Sequence, residues 1–212
     1  MTERRTAALV EAAVGGALIT LLALPLSCMW LEASLVGHVL VQMPLLALSG
    51  WLVGTLFAPR LDKIVGRWNR GGIAGLALMI FTLLFWMLPR SIDRAVQDGG
   101  YELIKFMWLP CAGVALAVSF GRAHPVVAGA LKANLISMLG VLAWLYTATP
   151  VRLCNSCLKG DQERLGLAMA FLAVALAITW GAGLMFGSRR TSSASNVPGY
   201  RSERRLGDLA RP

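Results

Sequence analysis

Long apolar runs are the feature of this sequence that most limits how it can fold. They are about 18 to 25 residues long, the length at which a helix crosses a hydrocarbon core of about 30 Å. Charged residues make up only 15% of the 212 residues, against about a quarter in soluble domains. Since a helix satisfies its own backbone polar groups in lipid, the sequence predicts an all-α, polytopic membrane bundle. About six transmembrane helices are expected, over 7–28, 32–57, 72–89, 103–121, 126–148 and 165–187.

The basic residues indicate how these helices are oriented. With the N-terminus inside, the segments expected on the cytoplasmic side hold 13 of the 20 Lys and Arg residues, and the outer loops hold 5. The positive-inside rule then predicts that both termini are cytoplasmic. The formal net charge of +9 reflects topology and attraction to anionic lipid headgroups, so no nucleic-acid partner is expected. We predict a transmembrane helical domain over 1–187 and a basic, disordered cytoplasmic tail over 188–212.

The second apolar run carries polar side chains at an unusual depth. In MWLEASLVGHVLVQMPLLALSG, residues 29–50, Ser34, His38 and Gln42 recur at a spacing of four and share one helix face. Polar side chains inside a membrane must face a partner rather than lipid. Pro44 is expected to kink the helix just after them. Three roles stay open for His38: a hydrogen bond between helices, a metal or haem ligand, or a contact in a proton relay or quinone site.

The sulfur-bearing residues near His38 favour a soft metal. The other histidine, His124, lies at the opposite membrane face in this topology, which excludes a haem held by two histidines. Met43 lies about one turn from His38, and Cys111 in the fourth run is expected at a similar depth. Thiol and thioether ligands suit Cu(I), so copper is expected before haem or quinone. Lys105, near the outer end of the fourth run, is expected to extend to the headgroups.

The last outer loop, PVRLCNSCLKGDQERLG, carries a pair of cysteines. Cys154 and Cys157 form a C-x-x-C motif, which this topology places in an oxidising compartment. Arg152 beside them favours the reactive thiolate form. Three interpretations stay open: a structural or exchanging disulfide, copper capture by the paired thiols, or inert cysteines. A zinc ribbon is not expected, because it needs a second cysteine pair.

These two segments resemble those of a known family. The run LEASLVGHVLVQMPLLALSGW is similar to the histidine-bearing helix of the CtaG-type membrane proteins, the assembly factors of caa-type cytochrome oxidases. VRLCNSCLKGDQ is similar to a loop of related bacterial membrane proteins. The resemblance implies a multi-pass protein of the bacterial inner membrane that delivers copper to a respiratory oxidase, or assists maturation of another membrane complex. The site residues that it implies are Glu32, His38, Gln42 and Met43 in the first segment, and Arg152, Cys154, Asn155, Asp161 and Gln162 in the second.

Two other classes of function stay open. The outer C-x-x-C motif would suit a thiol–disulfide protein of the DsbB kind that works with a quinone. Such a relay needs a second outer cysteine pair, and only Cys28 is available for it. The chain could instead be a non-catalytic subunit of an electron-transfer complex. No nucleophile and base are spaced for hydrolysis, so an enzyme is not the expected class.

Alkaline phosphatase fusions test the expected orientation. The phosphatase needs an oxidising compartment to form its disulfides, so a fusion near Asp161 is expected to be active and a fusion at Gly71 inactive. Immunoblots that show equal amounts of both fusions provide the control. Phosphatase activity of the Gly71 fusion, or no activity of the fusion near Asp161, would show the opposite orientation. The residues assigned to the outer face would then lie on the cytoplasmic face.

Overall fold

The computed structural model describes residues 2–149 and 159–194, and nearly all of them are helical. The expected all-α class is therefore confirmed for this part of the chain. The helices are α1 (Thr2–Ala23), α2 (Pro25–Glu32), a π-helical segment (Gly37–Gln42), α3 (Met43–Val65), a 3-10 turn (Arg70–Gly72), α4 (Ile73–Trp86), α5 (Pro89–Gln97), α6 (Gly99–Phe120), α7 (Pro125–Ala148) and α8 (Lys159–Ala194).

Five or six helical passages among the described residues are long and apolar enough to cross a membrane. A sixth is reached only if α4 and α5, which are bent by 74° at their junction, count as one passage. The bend follows from Leu88, because a residue before proline is pushed out of helical geometry and its ψ is 133°. The run predicted over 72–89 is therefore interrupted after Trp86. The five long passages are Arg5–Ala23, Gly37–Val65, Gly99–Phe120, Pro125–Ala148 and Gly160–Met185.

The helices α3 and α6 pack backbone against backbone. Gly50 lies against the backbone of Pro110, and Gly113 lies against the backbone carbonyl of Ala47. A Cβ atom added at either glycine would overlap the facing helix. Lipid is as apolar as the helices, so close van der Waals contact at small residues is what holds such a pair together.

Contacts between the helix ends give the relative directions of α3, α4 and α6. Gly50 of α3 meets Pro110 of α6, Gly54 meets Val114, and an ion pair between Asp62 and Arg122 joins the later ends, so these two helices are parallel. The turn before α4 meets Ser119, near the end of α6, whereas Thr82 near the other end of α4 accepts a hydrogen bond from Trp108. The helix α4 is therefore antiparallel to both and returns the chain between them.

The turn between α3 and α4 is fixed to the end of α6. Asn69 Nδ2 donates to Ser119 Oγ at 2.7 Å, and Asn69 Oδ1 accepts the N–H of Gly75 at 3.3 Å. Gly71 and Gly72 have φ values of 68° and 72°, a left-handed conformation that glycine adopts readily. A side chain at Gly72 would also meet the backbone of Ser119. Glycine and asparagine together thus set the direction in which α4 begins.

The chain divides into two compact units, Met1–Leu172 and Ala173–Pro212. In the first unit α1 packs on α3, with Gly15 against the backbone carbonyl of Ser49. In the described part of the second unit α8 stays helical to Ala194. The helix therefore extends beyond the tail boundary predicted at residue 187, and the rest of the predicted tail lies outside the described residues.

Substituting Gly50 tests the packing of α3 on α6. Gly50→Ala is expected to lower the free energy of unfolding by about 1–3 kcal/mol, because the new methyl group forces the two backbones apart. Gly140→Ala is the matched control, since a Cβ atom there meets nothing within 4 Å and alanine is the better helix former. Reversible unfolding in mixed detergent micelles measures both. Equal stabilities of the two variants would contradict the close approach.

Candidate functional site

Polar side chains gather where α2, the π-helical segment and the beginning of α6 meet. This polar cluster consists of Cys28 and Glu32 of α2, His38 and Gln42 of the π-helical segment, and Glu102 and Lys105 of α6. Two neighbouring stretches, α2 and the π-helical segment, and the distant helix α6 each contribute two of these residues. The cluster is therefore a product of the tertiary fold and not of any one motif.

The centre of the polar cluster is an ion pair between Glu32 and Lys105. The ammonium Nζ lies 2.6 Å from Glu32 Oε1 and 3.2 Å from Gln42 Oε1. The Lys105 side chain is 0% exposed, whereas Glu32 keeps 16% exposure. An ionised group in a membrane interior is energetically unfavourable unless it is paired. The prediction that Lys105 extends to the headgroups is wrong, because a carboxylate and an amide oxygen lie within its reach inside the bundle.

The π-helical segment Gly37–Gln42 brings His38 and Gln42 into the polar cluster. Pro44 has no N–H to donate, and the turns before it widen to the π pattern, in which the Met43 N–H donates to the His38 carbonyl. The kink expected at Pro44 thus takes the form of a wider helical turn, a feature that recurs at functional sites. Both side chains are 0% exposed, which confirms the prediction that they turn away from lipid.

Ser34 does not belong to the buried face. The chain leaves helical geometry at Ala33 and Ser34, and the exposed Ser34 hydroxyl accepts the N–H of Gly37 at 3.0 Å. The prediction that Ser34 lines up with His38 and Gln42 is therefore wrong. A spacing of four places side chains on one face only within a regular α-helix; Ser34 lies in the turn where the next helical segment begins, and the residues from Gly37 onward follow the wider π pattern.

Gln42 links the ion pair to a thiol. While Gln42 Oε1 accepts from Lys105, Gln42 Nε2 donates to Cys28 Sγ at 3.8 Å, and the thiol in turn donates to the backbone carbonyl of Leu22 at 3.2 Å. Cys28 lies in α2, between the first two membrane-spanning segments. Burial, followed by the nearby carboxylate of Glu32, raises the pKa of the Cys28 thiol. The thiol is therefore protonated at neutral pH.

His38 is the unsatisfied member of the polar cluster. Within the described ranges 2–149 and 159–194, neither ring nitrogen makes a hydrogen bond of normal length and angle, although the Gln42 side chain lies close to the ring. Nδ1 lies 3.7 Å from Glu32 Oε1, which is too long for a hydrogen bond. Leaving a buried polar group unpaired costs about 1–3 kcal/mol. An imidazole that merely held two helices together would make at least one such bond.

The geometry around Glu32 suits a single metal ion. Ligand atoms of Cys28, Glu32 and Glu102 lie within 4.8 Å of one another, and His38 Nδ1 approaches the same carboxylate. Transition-metal bonds to nitrogen, oxygen and sulfur are about 2.0–2.3 Å long. One ion could therefore lie among Cys28, Glu32 and Glu102, and the His38 ring would have to move towards it to become a fourth ligand.

Of the expected soft ligand set of His38, Met43 and Cys111, the structure places Cys111 away from the polar cluster, and the role of Met43 stays a prediction. Met43 is buried in the first turn of α3. Cys111 has an exposed side chain and lines a separate groove of about 300 Å³ with Asn69 and Ser119. Position along the helix axis gives the depth of Cys111 in the bundle. It does not give the side of α6 on which the thiol lies, which depends on how α6 packs.

The second predicted segment lies partly outside the described residues. Arg152, Cys154, Asn155 and Cys157 all fall in this undescribed part, and their proposed roles stay predictions. Asp161 lies in the first turn of α8, with Oδ1 3.7 Å from Arg164 Nη1. Gln162 is buried, and its Nε2 donates to the backbone carbonyl of Tyr146 at 3.3 Å. In the first turn of α8, Asp161 and Gln162 thus make local and interhelical packing contacts.

Two residues of the polar cluster, Glu102 and Lys105, are not predicted as site residues from the sequence. A signal for them existed: Lys105 lies about 9 Å along α6 from its start, at a depth similar to that expected for His38. A lysine at that depth requires a carboxylate partner, and Glu32 is the acidic residue at the beginning of the neighbouring apolar run. Matching Lys105 with an acidic residue at a similar depth would therefore have predicted the contact between α2 and α6.

No protein-family model, curated protein or solved structure matches this chain. The resemblance to the CtaG-type proteins therefore stays an expectation that rests on the two quoted segments.

A double-mutant cycle tests the ion pair. Lys105→Leu and Glu32→Gln are each expected to lower the free energy of unfolding by about 3–5 kcal/mol, because each leaves an unpaired buried charge. The loss of unfolding free energy in the double variant is expected to be about 1–3 kcal/mol smaller than the sum of the two single losses. Lys132→Leu is the control, since Lys132 is exposed on α7. Additive losses from the two single changes would show that the charges do not interact.

Proposed function

We propose that this chain is a multi-pass protein of the bacterial inner membrane that binds one divalent transition-metal ion in the polar cluster. The observation that carries the proposal is the His38 imidazole, which is fully buried, has no hydrogen-bond partner among the described residues and lies beside Glu32. Imidazole is the commonest protein ligand for such ions. A bound ion would supply the partner that the imidazole lacks.

The donors of the polar cluster favour copper or zinc in the divalent state. The cluster offers one soft ligand, a thiol, together with a borderline imidazole and two hard carboxylates, and not the sulfur-rich set that suits Cu(I). Divalent copper binds such sites more tightly than the other first-row ions. Copper is therefore the proposed ion, as the resemblance implies, but held by Cys28, Glu32, Glu102 and His38 instead of Met43 and Cys111.

The proposed topology opens the polar cluster to the outer face. Because α3 and α6 are parallel, the chain must return between them, which supports counting α4 with α5 as a sixth crossing. The distribution of basic residues then favours cytoplasmic termini. Cys28, Glu32 and Glu102 are only partly buried and form the rim of the cluster, while His38 lies beneath them. An ion would therefore enter from outside the cell.

Handing copper to a respiratory oxidase is the role that we propose for this site. This role comes from the resemblance to the CtaG-type proteins, and it fits a site that faces the compartment in which an outer copper centre is loaded. The thiol, imidazole and carboxylate donors of the cluster are the groups that hold a transition-metal ion. We therefore propose a binding and delivery function rather than catalysis.

Metal analysis of purified protein tests the proposed function. Wild-type protein is expected to hold one copper or zinc ion per chain, and Cys28→Ser and His38→Gln are expected to bind it at least about tenfold more weakly, since even residues behind the ligands contribute that much. Maturation of the respiratory oxidase in the same cells should fall with metal content. The readouts are elemental analysis and oxidase activity of the membranes.

Matched controls separate ligand loss from general damage. Cys111→Ser removes a thiol of the same helix bundle that lies outside the polar cluster, and His124→Gln removes the other imidazole at the start of α7. Both controls are expected to keep wild-type metal content. The proposal fails if wild type holds no metal, or if the Cys111 and His124 variants lose as much metal as the Cys28 and His38 variants.

A further inference from the structure

Lys105 holds a position that a metal ion would need. We propose that Lys105 is a built-in competitor for the metal: its ammonium occupies Glu32 when no ion is bound and leaves that carboxylate when a divalent ion arrives. This inference rests on the proposed function. It adds a reason for burying a lysine among metal ligands and names the event that accompanies loading.

The competition follows from one shared oxygen atom. Glu32 Oε1 lies 2.6 Å from Lys105 Nζ and 3.7 Å from His38 Nδ1. An ion that joins His38 to this carboxylate would stand beside the same oxygen and about as close to it as the ammonium does. Two cations at that separation repel strongly in a buried site. Binding of the ion and the present Lys105–Glu32 contact therefore oppose each other.

The displaced ammonium has other partners within reach. Its Nζ already lies 3.2 Å from Gln42 Oε1, and it stands 5.0 Å from the centre of the Phe106 ring, within the range of a cation–π interaction. A small rotation of the side chain would keep both contacts while Glu32 is released. Lys105 can thus yield to an ion without becoming an isolated buried charge.

The formal charges of the polar cluster suit a divalent ion. Counting Glu32 and Glu102 as carboxylates and Lys105 as an ammonium, the cluster carries one net negative charge. When a divalent ion bonds to Cys28, the thiol proton passes to water and a sulfur–metal bond forms. The two charges of the ion and the negative charge of the thiolate then bring the net charge of the cluster to zero, which is the most favourable value in a medium of low dielectric constant. A monovalent ion bound in the same way would leave the cluster negative.

Gln42 couples the two halves of the exchange. The amide donates to Cys28 and accepts from Lys105 at the same time. A metal-bound thiolate is a stronger acceptor than a thiol, and an ammonium released from Glu32 turns to the amide oxygen. Both hydrogen bonds of the Gln42 side chain therefore become stronger when the ion binds.

Removing the competing charge tests the inference. Full-length wild type, Lys105→Leu and Lys132→Leu are titrated with Co²⁺, whose visible bands report its ligands. Leucine adds no donor atom. Lys105→Leu is expected to bind at least about tenfold more tightly than wild type, because a positive charge a few ångströms from the ion is gone. Lys132→Leu is expected to match wild type. Equal or weaker binding by Lys105→Leu overturns the inference, whereas no binding by any of the three proteins overturns the proposed function itself.

A measurement on the unaltered protein covers the case in which Lys105→Leu does not fold. The side-chain nitrogen signal of Lys105 is recorded in ¹⁵N-lysine protein and identified by its loss in Lys105→Arg. Adding Zn²⁺ is expected to shift this signal as the ammonium leaves Glu32, and to leave the Lys132 signal in place. A Lys105 signal that stays unchanged while Zn²⁺ is bound overturns the inference and leaves the metal site standing.

Discussion

The buried ion pair between Glu32 and Lys105 is the constraint around which this end of the bundle is arranged. Neither charge can face lipid, and each is paired only when α2 and α6 approach within the reach of a salt bridge of 2.6 Å. The break after α2 places Glu32 beside the bundle, and the π-helical segment adds Gln42 as a second acceptor for Lys105. Irregular backbone is tolerated at this depth because polar protein groups satisfy it.

The register of that ion pair is set by the glycine contacts between α3 and α6. Gly50 and Gly113 allow the two backbones to touch, so sliding one helix along the other would drive a carbonyl into a Cα atom. Gln42 lies about two turns before Gly50, and Lys105 lies about two turns before Gly113. Because the helices are parallel, both side chains arrive at the same level. Close packing at small residues therefore determines which polar groups meet.

The sequence predicts the fold class well because length and apolarity of a membrane helix are local properties. It also predicts that His38 and Gln42 are buried, since a polar side chain in an apolar helix has few other options. It fails for Lys105, because a lysine can either extend to the headgroups or pair inside, and the choice depends on a partner distant in sequence. The prediction for Cys111 fails because this residue lies six positions after Lys105. Six positions are about one and two-thirds helical turns, so the Cys111 thiol lies on a different side of α6 from Lys105.

Among the buried side-chain atoms of the polar cluster that the structure describes, only the two ring nitrogens of His38 lack a hydrogen-bond partner, and a ligand can supply that missing partner. A network with all its partners present resists change, whereas one that lacks a single partner gains free energy when a ligand supplies it. Under the proposed function the ion satisfies His38 and neutralises the net charge, so it binds the folded state in preference to the unfolded one. By linkage, loading then stabilises the junction of α2, the π-helical segment and α6. The glycine contacts deeper in the bundle hold α3 and α6 together in either state, so the effect of loading is confined to the end of the bundle where the ion enters.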